Sequence, residues 1–159
     1  DNTVGSRSKT NLAYIAGFLD GDGSLMLQIK KRSDGKKKWR FMATICFYQD
    51  SRHEAPLHWI RKVLQVGYVS RRRDGMSELR INGFLQVRDI LKDLLPFIKF
   101  KTVQAAAMCK AADMLLRGRL GKTEIAELID CILQIQGANY VTRHKKTKSE
   151  LYAVLDLTP

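Results

Sequence analysis

The segment NLAYIAGFLDGDGS, residues 11–24, constrains the fold more than any other part of this chain. Ala13, Ala16, Gly17, Asp20 and Gly21 fall at i, i+3, i+4, i+7 and i+8, so in a helix they share one face. Small residues on that face let two helix backbones approach closely and fill an ordinary core poorly. A helix is expected from Thr10 or Asn11, either of which can cap it, to about Asp20. Asp20 and Asp22 then stand at its C-terminus, where negative charge opposes the helix dipole by about 0.3–1 kcal/mol. Carboxylates placed against that field suggest a cation site. Asp-Gly is also common turn chemistry, and both readings stand at this point.

Two strands follow with a clean period of two. In the first, about 24–32, Leu25, Leu27 and Ile29 point one way, and Ser24, Met26, Gln28, Lys30 and Arg32 the other. The second, about 38–48, sets Trp39, Phe41, Ala43, Ile45 and Phe47 against Arg40, Met42, Thr44, Cys46 and Tyr48. Each strand has one core face and one face for solvent or a ligand. Residues 33–36 read as the turn between them.

A helix is expected over about 56–65, with Pro56 in its first turn and Leu57, Ile60 and Leu64 at helical spacing. A second hairpin covers about 67–82, turning at Asp74-Gly75. Helices near 84–95 and 102–117 are separated by Pro96, and another is expected over about 123–136. A basic tail, 139–149, and a short closing helix complete the chain. The order is αββαββα plus C-terminal helices. It implies an α+β domain over residues 10–159, with one antiparallel sheet, helices on one of its faces, and a flexible basic arm at 1–9.

Charge narrows the partner. Lys and Arg number 28 against 16 Asp and Glu, a net charge of +12 over 159 residues, which favours a polyanion. No apolar run approaches the roughly 18–20 residues of a membrane span, and no signal peptide is visible. Cys46, Cys109 and Cys131 form no CxxC pair, which argues against a zinc ribbon or a disulfide framework and for a reducing compartment. The expected location is intracellular, in cytoplasm, nucleoid or organelle. His53, His58 and His144 show no clustered spacing, which disfavours a ββα-metal nuclease. A calcium loop counted from Asp20 fails, because its sixth position is Leu25 and its twelfth is Lys31.

The segment from Tyr14 to Ser24 resembles the LAGLIDADG motif of homing endonucleases. It occurs once, as in the single-motif, homodimeric branch of that family. The resemblance extends through the αββαββα order to Lys101. It implies a sheet forming a DNA-binding saddle, a homodimer packed through Ala13, Ala16, Gly17, Asp20 and Gly21, and double-strand cleavage at a long pseudo-palindromic site. It also implies a metal held by the Asp22 carboxylate and the Gly21 carbonyl, with Asp20 mainly structural. Mg²⁺ suits hard oxygen ligands with open positions. Mn²⁺ is expected to substitute, and Ca²⁺ to bind without supporting efficient cleavage. The resemblance places a water-organising role at Gln49 and a lysine near the scissile phosphate at Lys101. A further basic residue falls on Arg52 or His53.

The expected binding face comprises Ser24, Met26, Gln28, Lys30, Arg32, Arg40, Met42, Thr44 and Cys46 from the first hairpin, and Ser70, Arg72, Glu78 and Arg80 from the second. A two-stranded ribbon fits the major groove, where all four base pairs are distinguishable. Lys37 within residues 36–38, the 71–73 arginine cluster, and Lys145 in the tail suit phosphate contacts. A strand of about nine residues at roughly 3.3 Å each reads about nine base pairs, or roughly 18–20 per dimer. The alternatives are an RNA-binding intron maturase on the same fold and a non-catalytic DNA-binding protein. The latter is expected to have lost the motif acids, and both are present.

Overall fold

The computed structural model describes residues 7–32, 38–139 and 145–158. Helix α1 spans Lys9–Asp22. Its cap is Ser8, not Thr10 or Asn11: the Ser8 hydroxyl accepts the Asn11 N–H at 3.2 Å, which places the first turn earlier than the small-residue pattern implies. Leu12, Ile15, Ala16 and Leu19 form its buried face. Of the expected arm, Arg7 donates to the Leu64 carbonyl at 2.7 Å and pairs with Asp93, and Lys9 is already helical. Residues 1–6 of that arm lie outside the described residues, as does the 33–36 turn.

Strands β1 (Gly23–Lys31) and β2 (Trp39–Asp50) follow, then a single 3-10 turn (Ser51–His53) and helix α2 (Ala55–Leu64). Strands β3 (Tyr68–Arg71) and β4 (Met76–Asn82) form the second hairpin around a Gly75 with φ of +85°, a conformation glycine adopts freely. Helices α3 (Phe84–Leu94), α4 (Thr102–Arg117), α5 (Lys122–Ala138) and α6 (Lys148–Val154) complete the order.

The four strands make one antiparallel sheet in the order β1-β2-β4-β3. Both hairpins therefore join through their second strands. Leu25, Leu27, Ile29, Phe41, Ala43, Ile45, Phe47, Leu79 and Ile81 are all buried in the same core as the apolar faces of α1 to α5. This is the α+β, αββαββα architecture. The helices cover that face, and the opposite face carries the polar side chains.

Candidate active site and nucleic-acid interface

The end of α1 holds its two carboxylates in different environments. The half-buried Asp20 accepts the main-chain N–H groups of Lys99 at 2.7 Å, Phe100 at 3.2 Å and Lys101 at 3.1 Å. A carboxylate committed to three donors holds the loop before α4 and has little acceptor capacity left. Lys101, in return, donates its ammonium to the Asp20 main-chain oxygen at 2.9 Å. That oxygen belongs to the last turn of α1, where carbonyls lack helical partners and positive charge is favoured.

Asp22 is exposed and, among the described residues, makes no hydrogen bond or ion pair. The chain leaves the helix for β1 directly after it, at Gly23. A Cβ there would lie 2.6 Å from the Leu19 side chain and 2.8 Å from its carbonyl oxygen, so the passage requires glycine. This passage sets Asp22 on the rim of a cleft of about 730 Å³ that Gly21, Ser24, Tyr48 and Lys101 also line.

Gln49 does not line that cleft. Alternation along β2 puts it on the Phe47 side of the strand, and its Oε1 accepts the Asp50 N–H at 2.9 Å. Tyr48 stands in the cleft instead, its hydroxyl 3.0 Å from Ser24 Oγ, and burial pushes its phenol up. Arg52 is engaged with Asp50, donating to its carboxylate at 3.0 and 2.8 Å, and this guanidinium holds the Asp50 carboxyl well below the usual range. His53 is exposed beside it.

The polar sheet face is ordered by strand register. One row across all four strands is Ser24, Cys46, Arg80 and Tyr68; the next toward the end of β2 is Tyr48, Glu78 and Ser70; on the other side lie Met26, Thr44 and Asn82. Further along, Gln28 pairs with Met42 and Lys30 with Arg40. Two residues assigned to this face are corrected as contacts. Thr44 and Cys46 lie on it but are 0% exposed, because β2 is a central strand and short side chains there sit below taller neighbours on both sides. Thr44 spends its hydroxyl on Asn82 at 2.8 Å. Burial raises the Cys46 thiol above its ordinary value.

Tyr68 was missing from the expected face and is 51% exposed on it. Its signal was alternation, two residues before Ser70. Asn82 is the other omission, found from Arg80 in the same way. Arg72 lies just past β3 and pairs with Asp74 at 2.8 Å. Arg71 is turned to the Glu54 carboxylate at 3.0 and 3.1 Å, and Glu54 also accepts from Ser77. Those partners hold the Glu54 carboxyl down to about 2. Lys145 is exposed ahead of α6, and Lys37 lies outside the described residues.

On the expected helix-pairing face, Ala13, Gly17 and Gly21 are exposed, and a Cβ added at either glycine meets nothing within 4 Å. Ala16 is the exception. It is 0% exposed and packs into the core, since it shares the Leu12–Leu19 face. Tyr14, 59% exposed, flanks the open stripe and stacks edge-on against Trp59 with centroids 5.4 Å apart.

A sequence model of the LAGLIDADG endonucleases matches residues 15–112. The chain is 31% identical over 149 residues to the DNA endonuclease I-CreI of Chlamydomonas reinhardtii, covering 94% of this chain and 91% of that one. It is 36% identical over 93 residues to the DNA endonuclease I-CvuI of Chlorella vulgaris, 58% of each chain. The crystal structure of the homing endonuclease I-CvuI with an I-CreI target in the presence of Mg, its DNA not cleaved, superposes with a TM-score of 0.75 at 26% identity. That superposition covers 93% of this chain and 94% of the other.

Proposed function

Because the chain belongs to the LAGLIDADG endonuclease family, we propose that it is a site-specific DNA endonuclease that acts as a homodimer and cuts both strands of one long, near-palindromic duplex site. The observation that carries this reading is the exposed, unpartnered Asp22 at the end of a helix whose outward stripe is Ala13, Gly17 and Gly21. Two such helices packed on a two-fold axis bring two Asp22 carboxylates together at the centre of a paired sheet surface.

The donor set fits a hard divalent cation. Asp22 is an oxygen ligand not already spent on a hydrogen bond, and Gly21 presents a main-chain carbonyl beside it on the same cleft. Among the described residues of one chain no group of three His, Cys, Asp or Glu side chains converges, so the remaining ligands fall to the second copy, DNA phosphate and water. Bound there, Mg²⁺ supplies Lewis-acid activation of water and of the scissile phosphate.

The chain's own residues supply the rest. Asp22 and Gly21 would hold the ion. Asp20 keeps the 98–101 loop against the end of α1, so the Lys101 ammonium faces the cleft from a fixed base. There it stabilises negative charge developing on the phosphate. Gln49 is half-buried and its Oε1 already accepts the Asp50 N–H, so its contribution to ordering water is the smaller one. The sheet face lies in the major groove, and basic residues around it contact phosphates, as the exposed Lys145 ahead of α6 does.

Selection of cleaved sites from a random duplex library with Mg²⁺ tests this. A single long motif with two-fold symmetry is expected. Cleavage without sequence preference, or nicking of one strand only, contradicts it.

A further inference from the structure

We infer that Arg80 and Glu78 act as one unit that reads a guanine in each half-site, with Arg80 donating to the base and Glu78 positioning it. The inference rests on the polar sheet face being the DNA-binding surface. Glu78 is the anomaly that motivates it: a carboxylate whose side chain is 15% exposed, on a face that has to meet a polyanion. A lone acid there repels phosphate and has no packing reason to exist.

Its partner is Arg80, two residues along β4 on the same face, with Nε 3.5 Å from Glu78 Oε1. The Arg80 side chain is 27% exposed and sits mid-sheet, between Cys46 and Tyr68 in its row. β4 is an interior strand, so its main chain is engaged and only side chains are offered.

This placement separates base reading from phosphate binding. A cation that grips the backbone gains from being peripheral and without an ion-pair partner, as Lys30 and Arg40 are among the described residues, facing each other at the far end of the first hairpin. Arg80 is neither. Paired with Glu78 it adds no net charge, so it contributes little to non-specific attraction. With Nε 3.5 Å from the carboxylate, the ion pair biases the guanidinium's orientation and leaves its two terminal nitrogens available. That fork matches the O6 and N7 acceptors of guanine in the major groove.

The row fixes the base pair roughly. Arg80 is two strands across from Ser24, which is two residues beyond Asp22. Strand spacings of about 4.8 Å and rises of about 3.3 Å per residue put it about 12 Å from Asp22, or roughly three to four base pairs from the scissile phosphate at about 3.4 Å each.

The test is enrichment of bound sequences from a randomised duplex library by wild type, Arg80→Lys, Arg80→Met and Glu78→Gln, with thermal melting to verify the fold. Wild type is expected to enrich a guanine at the same offset in both half-sites. Arg80→Met should lose about tenfold to a hundredfold in preference at that pair alone, whereas Arg80→Lys, whose ammonium can still donate to O6 and N7, should keep a weaker guanine preference. Glu78→Gln should keep guanine first but with reduced preference, and should steepen the salt dependence of binding by about one unit, since a cation is released to phosphate. Retained guanine preference in Arg80→Met, or equal weakening on all sequences by that variant, overturns the assignment while leaving the DNA-binding reading intact. Absence of any enriched sequence with wild type overturns both.

Discussion

The Asp20 carboxylate accepts the Lys101 main-chain N–H at 3.1 Å while the Lys101 ammonium donates to the Asp20 main-chain oxygen at 2.9 Å. Eighty-one positions of sequence separate the two. This reciprocal clasp joins the end of α1 to the start of α4, and it sorts the motif acids: Asp20 is committed to structure, and Asp22 is left open to the cleft.

Exchange of the two acids should therefore separate stability from chemistry. Asp22→Asn should abolish Mg²⁺-dependent cleavage while target binding and melting temperature stay near wild type. Asp20→Ala should lower stability by about 1–3 kcal/mol, the scale of lost hydrogen bonds to a charged group. Denaturant melts and single-turnover cleavage of both variants measure this; undiminished cutting by Asp22→Asn removes it from the site.

Lys101→Met should slow single-turnover cleavage by about 10²–10³ with little change in DNA affinity, because one electrostatic stabiliser of the reacting phosphate is lost. Gln49→Ala should slow it less, since the Gln49 side-chain oxygen is already occupied by the Asp50 N–H. Wild-type rates in the lysine variant exclude it from the mechanism.

Gly17→Leu should leave the protomer folded and break the dimer. A Cβ at Gly17 meets nothing within 4 Å among the described residues, and glycine inside a helix is disfavoured by about 1 kcal/mol relative to alanine, so the protomer's own packing does not call for it. Sedimentation of wild type and variant, with melts of both, reads the outcome. A variant that remains dimeric would place the pairing face elsewhere.

Glu54 should make stability depend on acid pH. Its carboxyl is held down to about 2 by Arg71, Ser77 and His58, below the unfolded value of about 4.3. A depressed carboxylate stabilises the fold above its unfolded pKa, and that contribution fades as pH falls from about 4.5 toward 2. Glu54→Gln should thus melt below wild type at pH 7, with the gap closing toward pH 2–3. A gap that persists unchanged with pH would mean that the charge of Glu54 does not hold the second hairpin.

Much was legible in the sequence because it is local. Period-two alternation separated the buried Leu25, Leu27 and Ile29 from Ser24, Met26 and Gln28, and the same rule reached Glu78 and Arg80. The short DGDG run marked the end of α1, since two acids there oppose the dipole whatever surrounds them. Tertiary structure decided what depends on neighbours distant in sequence. Strand parity assigns Thr44 and Cys46 to the polar face, but depth is set by adjacent strands, and a central position buries both. Helical spacing groups Ala16 with Gly17, yet α1 packs through the Leu12–Leu19 side and takes Ala16 into the core. The split between Asp20 and Asp22 was implied by the family resemblance, but its physical cause lies in the tertiary structure. Two like acids two residues apart become different when a loop 80 residues away presents three N–H groups to one of them and none to the other.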